Sequence, residues 1–194
     1  MALASHYPVV VVGTGPTGLT LAHLLARQGV ATLLIDRAEA TVNEARAVTI
    51  DDESLRTLQN AGVLEGILPD IVQGYGVHYY SWRRTVFARI EPKSLEYGYP
   101  KRNAFRQQRL VHAMAQALPA LVTLRFRHEL LGFEQTADRV RLTLATPDGE
   151  CSVDTDWLVG CDGGRSSVRE QLGIELEGST YAERWLIADL IGQI

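Results

Sequence analysis

The chain has 194 residues, 46% hydrophobic and 22% charged, an ordinary globular composition with enough apolar side chains for one good core. Its formal net charge of -4 gives no support to non-specific binding of nucleic acid. No apolar run approaches the length of a membrane span.

The segment Met1–Pro8 lacks a charged region followed by a long apolar stretch, so no signal peptide is read there. The two cysteines, Cys151 and Cys161, fit scattered thiols better than a secreted disulfide framework. No Cys/His cluster has metal-ligand spacing, so no metal is expected. The expectation is a cytoplasmic protein with no nucleic-acid and no membrane partner; a homo-oligomer stays open.

In chain order, Val9–Val12 is a continuous apolar run, as expected of a parallel strand covered on both faces. Leu21, Leu24 and Leu25 fall at helical spacing within Leu19–Gln28, and Gly29 ends that helix. Ala31–Ile35 is a second apolar strand, closed by Asp36 and Arg37, and the whole unit has the length of one βαβ crossover. Residues 38–50 read as loop, and Asp51–Ala61 as a helix with an acidic first turn stopped by Gly62. Val77–Trp82 and Thr85–Ile90 are aromatic and β-branched, and predict a hairpin of a different sheet. Residues 91–103 read as loop, and Gln107–Leu118 as a helix ending before Pro119. Strands are expected at Leu121–Phe126, Glu129–Gln135, Arg139–Thr146, Cys151–Thr155 and Trp157–Cys161. A short helix is expected over Ser167–Leu172, and a last strand over Trp185–Ile191.

The chemistry sits first in Gly13-Thr14-Gly15-Pro16-Thr17-Gly18. A dinucleotide pyrophosphate needs backbone N–H donors and room to approach the chain. Gly13 permits a tight turn, Gly15 leaves space for phosphate, and Gly18 lets the helix pack close to the strand. A lone glycine turn is weak evidence, but here a buried strand precedes it and an apolar helix follows. Asp36, at the end of the next strand, has the place and charge to accept the hydroxyls of an adenosine ribose.

A second motif, Leu158-Val159-Gly160-Cys161-Asp162-Gly163-Gly164-Arg165-Ser166-Ser167, resembles the Asp-Gly motif of flavin-dependent aromatic hydroxylases of the para-hydroxybenzoate hydroxylase type. Gly13–Gly18, the pair Asp36-Arg37, the segment Glu44–Glu53 and Asn103–Leu110 resemble that family in the same order. Ala45-Arg46-Ala47, Asp51-Asp52-Glu53 and Pro100–Phe105 carry a closer likeness to its hydroxyphenylpropionate branch.

The resemblance implies an α/β fold: a Rossmann-like FAD-binding βαβ domain interrupted by part of a β-rich substrate domain. The implied boundaries are 1–73 and 102–175 for the FAD-binding segments, 74–101 for a substrate-domain hairpin, and 176–194 for the start of a further substrate segment. It also implies FAD as cofactor, NADPH or NADH as co-substrate, and a monooxygenase that uses dioxygen to hydroxylate a phenolic aromatic acid. Carried over by motif, Gly13, Gly15, Pro16, Thr17 and Gly18 hold the pyrophosphate. Asp36 holds the ribose with Arg37 beside it, Arg46 contacts the pyrophosphate, Gln107 touches the ribityl region, and Asp162 and Gly163 support both nucleotides. A guanidinium suits the Arg46 role because its rigid fork of donors matches phosphate.

No residue is assigned as catalytic base; His78, Tyr79, Tyr80 and His112 have suitable chemistry but read as packing or surface positions. The family's later Gly-Asp motif has no counterpart, nor does the rest of its substrate domain. The expectation is therefore the N-terminal part of a longer hydroxylase, or a truncated product. The rival readings are a non-catalytic nucleotide-binding module that needs a partner chain, and a flavin reductase or halogenase of the same fold. Asp36 stands where many relatives carry the longer Glu.

Overall fold

A computed structural model describes residues 3–43, 47–179 and 181–183. The elements in chain order are β1 (His6–Val12), α1 (Pro16–Arg27), β2 (Thr32–Asp36), β3 (Thr49–Ile50), α2 (Asp52–Ala61), α3 (Leu64–Ile67), β4 (Val72–Gln73), β5 (Val77–Tyr80), β6 (Val86–Ile90), β7 (Asn103–Ala104), α4 (Gln107–Gln116), β8 (Val122–Phe126), β9 (Glu129–Gln135), β10 (Val140–Thr146), β11 (Gly149–Gly160) and α5 (Ser167–Gln171). The main sheet runs β8-β2-β1-β11-β10-β9. Its first four strands are mutually parallel, and β11, β10 and β9 form an antiparallel meander. This is the mixed α/β fold that the sequence predicts.

The continuous Val9–Val12 run is explained by two cores, one on each face of β1. Val9 and Val11 pack under α1, α2 and α4 with Leu19, Leu55, Leu110 and Met114. Val10 and Val12 pack on the other face against Leu130, Leu142, Leu144 and Val153 of the meander. The two core-central valines, Val10 and Val11, are fully buried, each worth roughly 1.5–3 kcal/mol of apolar burial.

α1 differs from expectation in the face it buries. Leu21, Leu24 and Leu25 are only partly buried at the margin, whereas Gly18, Leu19, Ala22, His23 and Ala26 face inward. The cause is size: Gly18, Ala22 and Ala26 recur every fourth residue, one above the other on a helix, and bring the backbone down onto the sheet. The leucines would hold it away.

β11 is a second departure. The expected strands Cys151–Thr155 and Trp157–Cys161 are one 12-residue strand. Its first half pairs antiparallel with β10 and its second half parallel with β1, and Asp154 and Thr155 pair on both sides. The expected break falls at Asp156, which is charged, but the charges of Asp154 and Asp156 are both met by partners outside the core. Asp154 is bound by Arg139 and Arg141, and the Arg141 hydrogen bond, reinforced by Arg139, holds its pKa at about 2. Asp156 meets His6 at 2.8 Å.

The expected loop 38–50 ends in the two-residue strand β3, and the expected loop 91–103 runs into the two-residue strand β7 at Asn103, both too short to show periodicity. β3, β7 and β4 form a small antiparallel sheet, β3-β7-β4. Asp51 is the N-cap of α2 rather than part of its first turn, its carboxylate accepting from Ser54 N at 2.8 Å. β5 and β6 form a two-stranded sheet of their own, as the sequence predicts. The expected strand at Trp185–Ile191 lies outside the described residues. No helix among the described residues is long and apolar enough to cross a membrane.

His23 ties α1 to α4 from within the core, with Nε2 2.9 Å from the Met114 carbonyl. Burial lowers its pKa below the ordinary 6.5, and the Met114 hydrogen bond offsets this only in part. The folded chain therefore resists protonation at a group the unfolded chain protonates readily. Stability from this group is complete above pH 6.5 and is lost as pH falls below that value toward the lower folded pKa. The expected result is a urea-unfolding midpoint that drops between about pH 7.5 and about pH 5.5. A His23→Leu variant, whatever its absolute stability, should lose that component of the slope.

Candidate nucleotide site

The carboxyl end of β1 enters the glycine turn between β2 and β11. Gly13 has φ +108° and donates its N–H to Ile35 O at 2.8 Å, so the turn is stitched to β2. A Cβ on Gly13 would lie 2.4 Å from Cys161 O, and one on Gly18 would lie 2.0 Å from Gly13 O. These two glycines are required by backbone meeting backbone. Gly15 is different: nothing lies within 4 Å of a Cβ built there, and its φ of -69° suits any residue. It is the N-cap of α1 and offers no capping side chain. Pro16 follows at N1 and has no N–H. The first-turn amides of Thr17 and Gly18 have no carbonyl partner within the helix, and they point with the positive end of the helix dipole into the open space beside Gly15.

Asp36 ends β2 and closes on the turn. Its Oδ2 accepts from Thr14 N and from Thr14 Oγ1, both at 2.8 Å, and its Oδ1 accepts from Ala38 N at 2.9 Å. Three of about four lone-pair positions of a carboxylate are thus engaged. One more donor can be accepted directly, and a second if the Thr14 hydroxyl rotates away. Arg37 is exposed and stands 3.9 Å from Glu129.

Asp162 follows β11. Its Oδ2 accepts from Ser167 N at 2.7 Å and Ser167 Oγ at 3.0 Å, which caps α5 together with Ser166. Burial pushes its pKa up, but hydrogen bonds from Ser166 and Ser167 outweigh this and lower it overall, so the group is ionised at neutral pH. Its Oδ1 is buried with no hydrogen-bond partner among the described residues. An orphaned, ionised oxygen is costly unless a donor reaches it. Gly163 has φ +81° and open space around it.

The predicted residues fall into two cavities flanking the turn. Gly13, Asp36, Arg37 and Asp162 line a crevice of about 100 Å³ beside His128 and Arg165. Pro16, Thr17 and Gln107 line a larger cavity of about 770 Å³ with Ala47, Thr49 and Phe105. Gly15, Gly18 and Gly163 line neither, and Arg46 lies outside the described residues. Gln107 is buried, and its Oε1 accepts from Ala47 N at 2.8 Å, so it anchors the loop as well as facing the cavity.

Sequence reasoning missed Thr14, which occupies an unspecified motif position yet carries both contacts to Asp36. It also missed His128, whose N–H reaches Asp36 O at 3.0 Å from a turn with no motif. His78, Tyr80 and His112 are exposed, in keeping with the surface reading. Among the described residues no group of three or more His, Cys, Asp or Glu side chains could hold a metal, and both cysteines are free.

The glycines separate fold from ligand. Gly18→Ala should lower the thermal midpoint sharply, because its Cβ meets a backbone carbonyl. Gly15→Ala should cost much less, about 1 kcal/mol at most, since it meets no clash and loses only the modest preference for glycine over alanine at the N-cap of α1. Thermal melts of the two variants without ligand check this.

The FAD binding domain family matches residues 6–193. The 3-(3-hydroxy-phenyl)propionate/3-hydroxycinnamic acid hydroxylase of Mycolicibacterium smegmatis is 39% identical over 184 residues, covering 94% of this chain and 33% of that protein. The same-named enzyme of Escherichia coli is 36% identical over 185 residues, with the same coverage. Among solved structures, p-nitrophenol 4-monooxygenase PnpA from Pseudomonas putida superposes with a TM-score of 0.85 at 26% identity, covering 92% of this chain and 46% of that one. The flavin-dependent monooxygenase PieE, in complex with FAD and substrate, gives 0.81 at 27% identity, covering 92% and 34%. The chain spans about a third of the length of the curated relatives. With the glycine turn, Asp36 and Asp162 in place, the chain belongs to the FAD binding domain family.

Proposed function

We propose that this chain is the nucleotide-binding portion of a flavin-dependent monooxygenase that hydroxylates a phenolic aromatic acid, with NADH or NADPH as reductant and dioxygen as co-substrate. The observation that carries the reading is the open cradle at Gly15. It lies at the N-terminus of a 12-residue helix, with a cavity on either side of the turn. A molecule of two halves joined by a pyrophosphate fits such a place: the anion at the helix end and one half toward each cavity.

In this reading Thr17 and Gly18 donate backbone N–H groups to the pyrophosphate, and Arg46 adds a guanidinium. Asp36 accepts from the adenosine ribose, with Arg37 beside it. Asp162, through its unpartnered Oδ1, and Gly163, through its open backbone, receive donors from the nucleotides. Gln107 holds the loop at Ala47 against the larger cavity, whose apolar wall of Leu21, Ile50 and Phe105 excludes water from the flavin side. FAD, when bound and reduced by the nicotinamide nucleotide, supplies the electrons for dioxygen activation. The β5–β6 hairpin is one piece of the substrate sheet, and the names of the curated relatives support a hydroxyphenyl propionate or cinnamate as substrate.

One observation favours a second reading, a binding module that is catalytically silent without further chain: only about a third of the relatives' length is present. Steady NAD(P)H oxidation coupled to hydroxylation of 3-(3-hydroxyphenyl)propionate by this chain alone would reject that module.

The test of the cradle is FAD titration followed by flavin fluorescence. Wild type should take up FAD, and Gly15→Ala should weaken binding at least about tenfold, the loss expected when backbone hydrogen bonds to a charged group are blocked. A chain that takes up no FAD, or a Gly15→Ala variant that binds as wild type does, would overturn the assignment.

A further inference from the structure

The polypeptide leaves the body of the fold after β4, runs out through the β5–β6 hairpin, and returns at β7. Asn103 sits where the outgoing and returning stems cross. It is completely buried. Its Oδ1 accepts from Gly74 N at 3.2 Å on the outgoing stem. Its Nδ2 donates to Pro100 O at 2.7 Å on the returning stem and to Ile50 O at 3.2 Å on β3. One amide thus holds three separate chain segments with both of its donors and its acceptor engaged. Gly74, at φ +68°, turns the chain outward just beyond it.

The same short stretch leads into the larger cavity. Phe105 N reaches Val48 O at 3.2 Å, and Gln107 accepts from Ala47 N at 2.8 Å. Phe105, Gln107 and Ala47 all line that cavity. A second contact runs the same way: Thr49 of β3, which also lines the cavity, hydrogen-bonds Tyr75 of the outgoing stem at 2.6 Å.

We propose that Asn103 is a positioning residue: its amide fixes the hairpin's attachment and the floor of the cavity as one unit, so that the position of the hairpin and the shape of the flavin side are set together. The proposal rests on the reading of that cavity as the flavin side, but its test needs no flavin, so the two can fail separately.

The requirement is specific to an amide. Asparagine presents two donors to two carbonyls. Asn103→Asp keeps the acceptor for Gly74 but turns an ionised oxygen toward Pro100 O and Ile50 O. Protonation restores one donor, and burial facing carbonyls raises the pKa of the introduced acid. The phenotype should therefore be pH-dependent in the sense of recovering as pH falls.

The experiment is amide hydrogen exchange on the 194-residue chain without ligand, each amide expressed as protection relative to the Val10 amide of β1. In wild type, the Gly74, Phe105 and Ala47 amides should be protected at both pH 8 and pH 5.5. In Asn103→Asp at pH 8, the Phe105 and Ala47 amides should lose protection by about tenfold or more, the loss expected when buried carbonyls are left without their donor, and the Gly74 amide less, since it keeps an acceptor at position 103 and the Arg102 carbonyl at 3.0 Å. At pH 5.5 much of that loss should be recovered. Loss at Gly74 alone, with Phe105 and Ala47 unchanged, would overturn the coupling. Equal loss at both pH values would overturn the amide-specific role. Should the variant fail to fold, wild-type protection decides: fast exchange at Gly74 and Phe105 in the native chain overturns the proposal.

Discussion

The close passage of the Gly13 backbone against Cys161 and Gly18 is the constraint on which the site depends. Two parallel strands, β1 and β11, end side by side, and Cys161 N hydrogen-bonds Val12 O at 2.7 Å. The chain then reverses into α1 within the space left between them. Any side chain at Gly13 or Gly18 would sit inside a carbonyl. The approach brings the N-terminus of α1 to the sheet edge and holds Asp36 and Asp162 on the same edge, one on each neighbouring strand. It also accounts for the small residues Ala22 and Ala26 along the buried face of α1, since a helix that starts this close to the sheet has no room for leucine on that side.

The electrostatics follow from this geometry. The two carboxylates nearest the turn are not simply repulsive neighbours for an anion. Asp36 is engaged by Thr14 and Ala38, and Asp162 by Ser167, so much of each charge is spent on backbone and hydroxyl donors of the turns themselves. They act as fasteners that fix the glycine turn and the start of α5. The remaining acceptor capacity is chiefly Asp162 Oδ1, buried with no hydrogen-bond partner among the described residues. The helix end is left as the positive feature of that edge.

The parts of the fold legible in sequence were those with a period or a chemical signature. Val9–Val12 announces a strand covered on both faces, and Gly13–Gly18 a tight turn from strand into helix. The parts that were not legible lack either cue. A two-residue strand such as β3 or β7 has no period. Thr14 occupies an unspecified motif position, and its importance comes from the carboxylate that folds onto it. Asp156 carries a misleading cue: charge normally ends an apolar strand, but here the strand changes partners and Asp156 pairs with His6. The leucines of α1 misled in the same way, because hydrophobicity ranked them above the alanines while close packing favoured the smaller side chains.

The β5–β6 hairpin stands apart from this body in its packing. Tyr80, Trp82 and Phe87 are exposed, Trp82 at 87%, and the pair forms a sheet of two strands. A two-stranded ribbon is at best marginally stable in water by itself, and aromatic side chains normally dominate buried contacts. The ribbon's local support is modest: the Tyr79–Phe87 ring contact, the Arg83 guanidinium over Trp82 and the Ser81–Thr85 hydroxyl pair at the turn. Its stems, by contrast, are fastened to the body by the β3-β7-β4 sheet and the buried amide of Asn103. A strongly anchored base carrying an aromatic, uncovered ribbon is the arrangement expected of one part of a larger sheet, held at a fixed place relative to the nucleotide edge. Under the proposed function, that is the form a substrate-sheet component must have if chemistry at the flavin is to meet an aromatic ring at a defined position.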